Sequence, residues 1–448
     1  MNHKVGMISL GCPKNLVDGE MMLAKLRQAG FQIVTDVDEA DAIIVNTCGF
    51  IEDAKKEAID NILEMAQLKQ EGTIRAVVVA GCLAERYQEE VKKEIPEVDA
   101  VIGIGKNGDI VQVVTDALAG TETQAFPPKD RLCLNGERVL ATPPFWAYLR
   151  IADGCDNCCS YCAIPMIRGR FRSRPMEEIL EEAETLVKNG AKELILIAQD
   201  TTRYGEDLYG ELRLPALLRE LCKIDGLSWL RLLYCYPDRI TDELLSVMKQ
   251  EEKVLPYLDL PLQHADATIL RAMNRSGDRR SLTKLVKHIR EMVPDVTLRT
   301  TLIVGFPGEG GKEFAALAEF IKDVRFDHLG CFAYSPEEGT PAAAMGSQVP
   351  EDVKQRRQEI MMEEQSRIVE RRLKSKKGKT LPVLVEGFDA YAECWYGRTA
   401  ADAPDIDGKV FFHVKAPVSP GDLLPVTITG YLDYDLVGEE AEDGPCKS

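Results

Sequence analysis

The sequence predicts an α/β protein in three parts: a small parallel α/β domain, a longer (β/α) partial barrel, and a C-terminal all-β barrel. Three observations carry this. Apolar runs alternate with helical stretches over residues 1–120, the same rhythm returns at greater length from Tyr148 to Asp327, and beyond 371 short alternating strands are separated by Gly, Pro and Asp. Alternation of the first kind implies parallel βαβ units; short, evenly spaced strands imply a small barrel.

In order, VGMISL, LVDGEMMLAKLRQAG, ADAIIVNTC, EDAKKEAIDNILEMAQLKQ and IRAVVVAGC read as βαβαβ and make the first domain, residues 1–120. Residues 121–144, with PPKD and ATPP, carry turn signals and weak periodicity, which marks a linker. Residues 145–370 follow as AYLRIADG, a helix over 176–189, ELILIAQD, a helix near 214–223, LSWLRLLY and TLRTTLIVGF. Chemistry in such a barrel belongs at the carboxyl ends of its strands. A charged helix from 351 to about 377 leads through KSKKGK to LPVLVEGF, GKVFFHVK and LLPVTITGYL, which with the preceding basic run make the last domain, residues 371–448.

With 448 residues, 45% of them hydrophobic, the chain can bury a substantial core divided among about three domains. No run approaches the roughly 20 apolar residues of a membrane helix, and MNHKVGMISLGC has no apolar signal core, so a cytoplasmic protein with no membrane partner is expected. Thirteen cysteines in that reducing compartment point to metal or redox chemistry in preference to disulfides. The 55 basic and 73 acidic residues leave a net charge of −18, which argues against general attraction to nucleic acid and for a basic partner.

The strongest motif is GCDNCCSYCAIP, where Cys155, Cys159 and Cys162 form CxxxCxxC directly after a predicted strand. Three thiolates hold three irons of a 4Fe-4S cluster and leave the fourth open to a non-protein ligand. Pairing Cys155 with Cys158 and Cys159 with Cys162 would instead give a zinc-like double CxxC. Cys12, Cys48 and Cys82 each follow an apolar strand at its carboxyl end, where a parallel sheet would gather them on one edge. They can supply a second three-thiolate site, or be small buried hydrophobes.

The CxxxCxxC loop with Tyr161 and the AIP tail resembles the radical S-adenosylmethionine superfamily. Joined to the three N-terminal cysteine segments and the final β domain, it is similar over nearly the whole chain to the methylthiotransferase family. That resemblance implies two 4Fe-4S clusters, a radical one on Cys155, Cys159 and Cys162 and an auxiliary, sulfur-carrying one on Cys12, Cys48 and Cys82. It also implies S-adenosylmethionine as cofactor, a radical SAM central domain and a TRAM barrel at the C-terminus. The implied reaction begins when a deoxyadenosyl radical takes hydrogen from the substrate carbon, which then receives a methylthio group; an electron donor, unidentified, is required. Cys158 falls at a spacer position as a spare thiol.

Pro13, Lys14 and Asn15 after the first cysteine, FDHLGCFAYSPEEGTPAA (326–343) and LPLQHADATILRAMNR (260–275) resemble the branch that modifies an aspartate β-carbon in the small-subunit ribosomal protein of the decoding centre. LVDGE departs from that branch's usual LVDSE by Gly19, read as weakening a helix N-terminus. Residues 381–448 hold four Lys or Arg and thirteen Asp or Glu, which suits a basic ribosomal protein better than RNA, although a merely solvated acidic surface would look the same. The basic residues Arg371, Arg372, Lys374, Lys376, Lys377 and Lys379 read as a charged linker. The alternatives are tRNA adenosine methylthiolation, with tRNA the less favoured partner, and a non-catalytic iron-sulfur or zinc module that docks on the ribosome.

Other candidates sit where barrel loops begin. Tyr161, Gln199 and Gln263 are candidate cofactor-binding residues, with Asp200 and His264 beside them, and Gly305 lies in TLIVGFPGE, which resembles the superfamily element near the adenine. Arg168, Arg170, Arg172 and Arg174 could hold a cofactor or substrate carboxylate by bidentate pairing. Cys133, Cys222, Cys235, Cys331, Cys394 and Cys446 have no ligand spacing.

Overall fold

The computed structural model describes residues 3–441; Cys446 and the last acidic residues lie outside them. Strands β1 (Lys4–Ser9), β2 (Gln32–Ile33), β3 (Ala42–Thr47), β4 (Ala76–Gly81), β5 (Ala100–Ile102) and β6 (Thr123–Ala125) form a parallel sheet ordered β2-β1-β3-β4-β5-β6. β3 and β4 are buried throughout, as continuous apolar runs require when helices cover both faces. Helix Glu52–Gln70 packs on one face through Ala58, Ile62 and Met65; Met22 and Leu26 of helix Pro13–Gln28 and Val113 of helix Ile110–Leu118 pack on the other. β6 comes from within the segment expected to be a linker, because its backbone pairs with β5 from Ala100 to Ile102.

The central domain holds β7 (Trp146–Arg150), the short antiparallel pair β8 (Ala152–Asp153) and β9 (Arg172–Ser173), then β10 (Glu193–Ile197), β11 (Trp229–Leu232), β12 (Val254–Asp259), β13 (Thr297–Val304) and β14 (His328–Ala333). Its six-stranded parallel sheet runs β14-β13-β12-β11-β10-β7 and does not join its edges, so it is a partial barrel. Its concave side is filled by neighbours: Trp146, Ile195, Trp229 and Tyr257 pack with Val17 and Met21 from the first domain and Leu384 and Ala403 from the third.

β15 (Thr380–Asp389), β16 (Cys394–Thr399), β17 (Val410–His413), β18 (Leu423–Leu432) and β19 (Asp435–Glu440) close into a five-stranded barrel. Helix Glu351–Lys374 serves two cores, with Met361 in the central one and Val369 and Leu373 in the barrel's. A boundary at 370/371 therefore cuts a continuous helix, and the basic run is not a free linker: Arg371, Arg372 and Lys374 form its last turn, and Arg372 pairs with Asp327 at 2.9 Å. At the domain junction Glu193 receives Arg231 at 2.6 Å and Arg398 at 2.7 Å, all three buried. Among the described residues no helix is long and apolar enough to cross a membrane.

Candidate functional site

β1, β3 and β4 are neighbours, so residues at their carboxyl ends share one edge. Cys12 caps helix Pro13–Gln28, Cys48 follows β3, and Cys82 opens helix Cys82–Tyr87. The loops touch. Gly11 has φ of 87°, and a Cβ there would stand 2.6 Å from the Cβ of Cys48; at Gly81, φ 91°, it would meet the Thr47 carbonyl at 2.6 Å. Asn15 donates from Nδ2 to the carbonyls of Leu10 and Asn46 at 2.8 and 3.2 Å, and Asn46 donates back to the Asn15 carbonyl at 2.7 Å. The three sulfurs feel one another's charge. Burial pushes the Cys82 thiol up to about 12 against the pull of Arg168, and pushes Cys48 up as well. Burial also opposes ionisation of Cys12, but Lys14, Arg168 and backbone N–H groups outweigh it and bring that thiol below its ordinary value.

The second trio lies on the loop after β8. Cys155 donates its N–H to the Gly169 carbonyl at 3.1 Å, and Cys162 donates to the carbonyl of Cys159 at 3.1 Å. Gly154, φ 76°, admits the Arg170 carbonyl where any Cβ would collide. Burial raises the Cys155 thiol to about 11 and Cys162 further, Cys155 also feeling Cys159 and Cys162 feeling both others. Arg275 places Nη1 3.7 Å from the Sγ of Cys159, is held by the Pro261 carbonyl at 2.6 Å, and stacks 4.3 Å over Tyr236. Cys158 is exposed, consistent with a thiol outside the trio.

Among the described residues no three His, Cys, Asp or Glu side chains are gathered tightly enough to hold a single ion. A four-iron cluster makes no such demand, because each thiolate binds a different iron; two trios of soft, mutually coupled thiols on glycine-opened loops fit that group. The trios share a wall: Cys82 packs on Ala163 and Ile167 of the helix that follows Cys162. From that same helix Arg168 sends Nη2 to within 3.5 Å of the Cys82 sulfur, while its Nη1 pairs with Asp18 at 2.7 Å and Asp153 at 3.4 Å.

Next to the second trio lies a cavity of about 570 Å³, lined by Tyr161, Gln263, Thr301, Ile303 and Tyr334 and walled by Phe50 to Asp53 of the first domain. Its size suits a small-molecule cofactor. Gln263 sits at φ 71°, its backbone bonded to Thr301 and Ile303 at 2.8 Å each. The Gln263 Oε1 and the Tyr334 hydroxyl are buried without partners, polar atoms that a bound molecule would satisfy.

Other candidates go elsewhere. Gln199 donates to Asp153 at 2.9 Å and Asp200 receives Asn157 and Arg239. His264 faces Glu309 at 3.3 Å, and Gly305 admits Lys354, whose Cγ would lie 2.3 Å from a Cβ; neither lines the cavity. The four arginines are paired internally: Arg168 and Arg172 face Asp153, Arg174 meets Glu182 at 2.7 Å, and Arg170 reaches Asp156 at 2.7 Å on the surface. Gly19 lies inside helix Pro13–Gln28, where a side chain would press on Met7 Sδ at 2.9 Å, so it serves packing and not a helix start. Arg275 had no signal of its own in the sequence beyond its place in 260–275.

Fold and site define a three-domain radical S-adenosylmethionine protein. Residues 149–321 match the radical SAM superfamily, 378–440 the TRAM domain, and 4–103 Uncharacterized protein family UPF0004. Ribosomal protein uS12 methylthiotransferase RimO of Lachnoclostridium phytofermentans is 48% identical over 436 residues, 97% of this chain and 99% of that one; its namesake from Symbiobacterium thermophilum is 50% identical over 443, 98% and 91%. This chain belongs to the RimO family of methylthiotransferases. The radical SAM methyltransferase TsrM from Kitasatospora setae, solved with cobalamin and a [4Fe-4S] cluster, shares the fold at a TM-score of 0.58 and 14% identity, over 76% of this chain and 77% of that one.

Proposed function

We propose that this chain methylthiolates the β-carbon of an aspartate in ribosomal protein uS12. In this reading Cys12, Cys48 and Cys82 hold one 4Fe-4S cluster, Cys155, Cys159 and Cys162 hold a second, and the cavity at Tyr161 and Gln263 takes S-adenosylmethionine. The observation that carries it is the shared wall between the two trios, in a chain related over nearly its full length to enzymes named for this reaction. Bound together, the clusters and cofactor would supply the radical and the transferable methylthio sulfur, with an electron from a separate donor.

The chain's own residues prepare the space. Gln263 and Tyr334 offer unpaired polar atoms to the cofactor, and Phe50 to Asp53 of the first domain line the same cavity. Arg168 brings positive charge to the Cys82 sulfur and opposes the burial that raises that thiol, and Arg275 places a guanidinium 3.7 Å from the Cys159 sulfur. The acidic third domain and net charge of −18 favour a basic protein over tRNA, the reading of the tRNA-modifying branch.

The test is anaerobic incubation of reconstituted protein with S-adenosylmethionine, reductant and a uS12 loop peptide, followed by mass spectrometry. One methylthio group should appear on aspartate and should vanish with Cys159→Ala. Modification of tRNA but not peptide would assign the tRNA reaction instead, and a protein that binds iron yet never cleaves the cofactor would be a docking module.

A further inference from the structure

Lys14 stands in the first turn of helix Pro13–Gln28, two residues after Cys12, and is only 6% exposed. Its Nζ lies 3.2 Å from the centroid of the Tyr234 ring. Among the described residues its ammonium forms no hydrogen bond and no ion pair with a carboxylate, although it carries three donors. Its foremost charged neighbour is the Cys12 sulfur, whose ionisation it favours, and the other charged groups around it are already engaged. Asp153 faces Gln199 and Arg168, Asp259 accepts the Tyr234 N–H at 3.0 Å, and Arg168 is shared between Asp18 and Asp153. Lys14 is thus a buried cation whose neighbours are the Tyr234 ring and the Cys12 sulfur but no carboxylate, so its ammonium donors have room for one.

Tyr234, which Lys14 covers, also lines a second cavity, about 190 Å³, which runs from Cys12, Pro13 and Tyr148 to Asp405 and Ile406 of the third domain; Lys14 borders it through Tyr234 and Cys12 and is not itself in its lining. Asp405 and Ile406 are exposed, so this cavity has a mouth at the domain junction. Tyr234 keeps a left-handed φ of 60°, a conformation bulky residues rarely adopt.

We infer that Lys14 is the specificity-determining receptor for the side-chain carboxylate of the target aspartate, which enters past Asp405 and Ile406 toward Cys12. This rests on the uS12 reading above. An aspartate differs from other small side chains in its negative charge next to the carbon to be modified, and a buried ammonium is a direct means of selecting that charge. The carboxylate of Asp405 at the mouth suits the basic chain carrying the aspartate, and Lys14 lies further in.

The test measures binding of labelled uS12 loop peptides to the reconstituted protein, with the target aspartate intact or replaced by asparagine, for wild type and Lys14→Met. Wild type should bind the aspartate peptide about 30-fold or more tightly than the asparagine peptide, and Lys14→Met should erase that preference by weakening the aspartate peptide alone. Equal wild-type affinity for both peptides overturns the assignment without need of any variant. So does a Lys14→Met protein that weakens both peptides equally, which would mark a structural cation, while peptide methylthiolation by wild type would leave the uS12 reading standing. A wild-type protein that neither binds nor modifies the aspartate peptide overturns both. If Lys14→Met loads iron poorly, Lys14→Arg replaces it and should keep the preference for aspartate.

Discussion

At Arg168 a guanidinium that is 1% exposed faces Asp18, Asp153 and the sulfur of Cys82 together. Burial alone would raise the Asp153 carboxyl, but Arg168, then Arg150, hold it below the ordinary carboxylate range. Removing the guanidinium leaves these carboxylates in a dry interior with fewer partners, so Arg168→Met should lose about 3 kcal/mol of stability in chemical denaturation. An unchanged unfolding curve would show that Arg150 and Arg172 suffice. Gln263 presents the opposite case, a polar atom without a partner. Gln263→Ala should weaken S-adenosylmethionine binding about tenfold in equilibrium dialysis, the effect of losing about 1.4 kcal/mol of hydrogen bonding. Unaltered cofactor affinity would remove this residue from the cofactor site.

The elements that present the first trio are three adjacent parallel strands, and their carboxyl ends can approach only because glycines stand where side chains would collide. Gly81 and Gly120 separate the two costs. Both have positive φ, but a Cβ at Gly81 meets the Thr47 carbonyl at 2.6 Å, whereas at Gly120 nothing lies within 4 Å. Gly120→Ala should cost about 1 kcal/mol from backbone strain alone, while Gly81→Ala should cost more and reduce iron held at the first trio. Thermal unfolding and iron analysis measure the two effects; equal costs would mean the loops yield freely. These strands and cysteines were legible in the sequence because apolar runs and ligand spacing are local patterns. β6 was not, since TQA has no apolar run and becomes a strand through its pairing with β5.

For the molecule as a whole, the Glu193 junction ties the third domain to the barrel. Burial raises the Glu193 carboxyl, but Arg398 and Arg231 outweigh it and hold it below the ordinary value. A carboxyl depressed in the folded state stabilises above its unfolded value of about 4.3 and loses that contribution as pH falls through the folded value. Glu193→Gln should therefore lose about 3–5 kcal/mol at neutral pH, and its deficit against wild type should shrink in acid below about pH 4. Thermal melts at both pH values check this, and a deficit independent of pH would locate the effect in packing.

The sequence by itself determined the three-part α/β architecture, both cysteine trios as candidates and the family, because hydrophobic period and motif spacing operate over a few residues. It did not determine which charges meet. Arg168 reaches Asp18 and Cys82 from far along the chain, helix Glu351–Lys374 joins two cores, Gly305 turns to Lys354, and Lys14 is left without a carboxylate. Those outcomes belong to the tertiary structure because the energy of a buried charge depends on the groups that folding brings around it, and sequence distance carries no record of them.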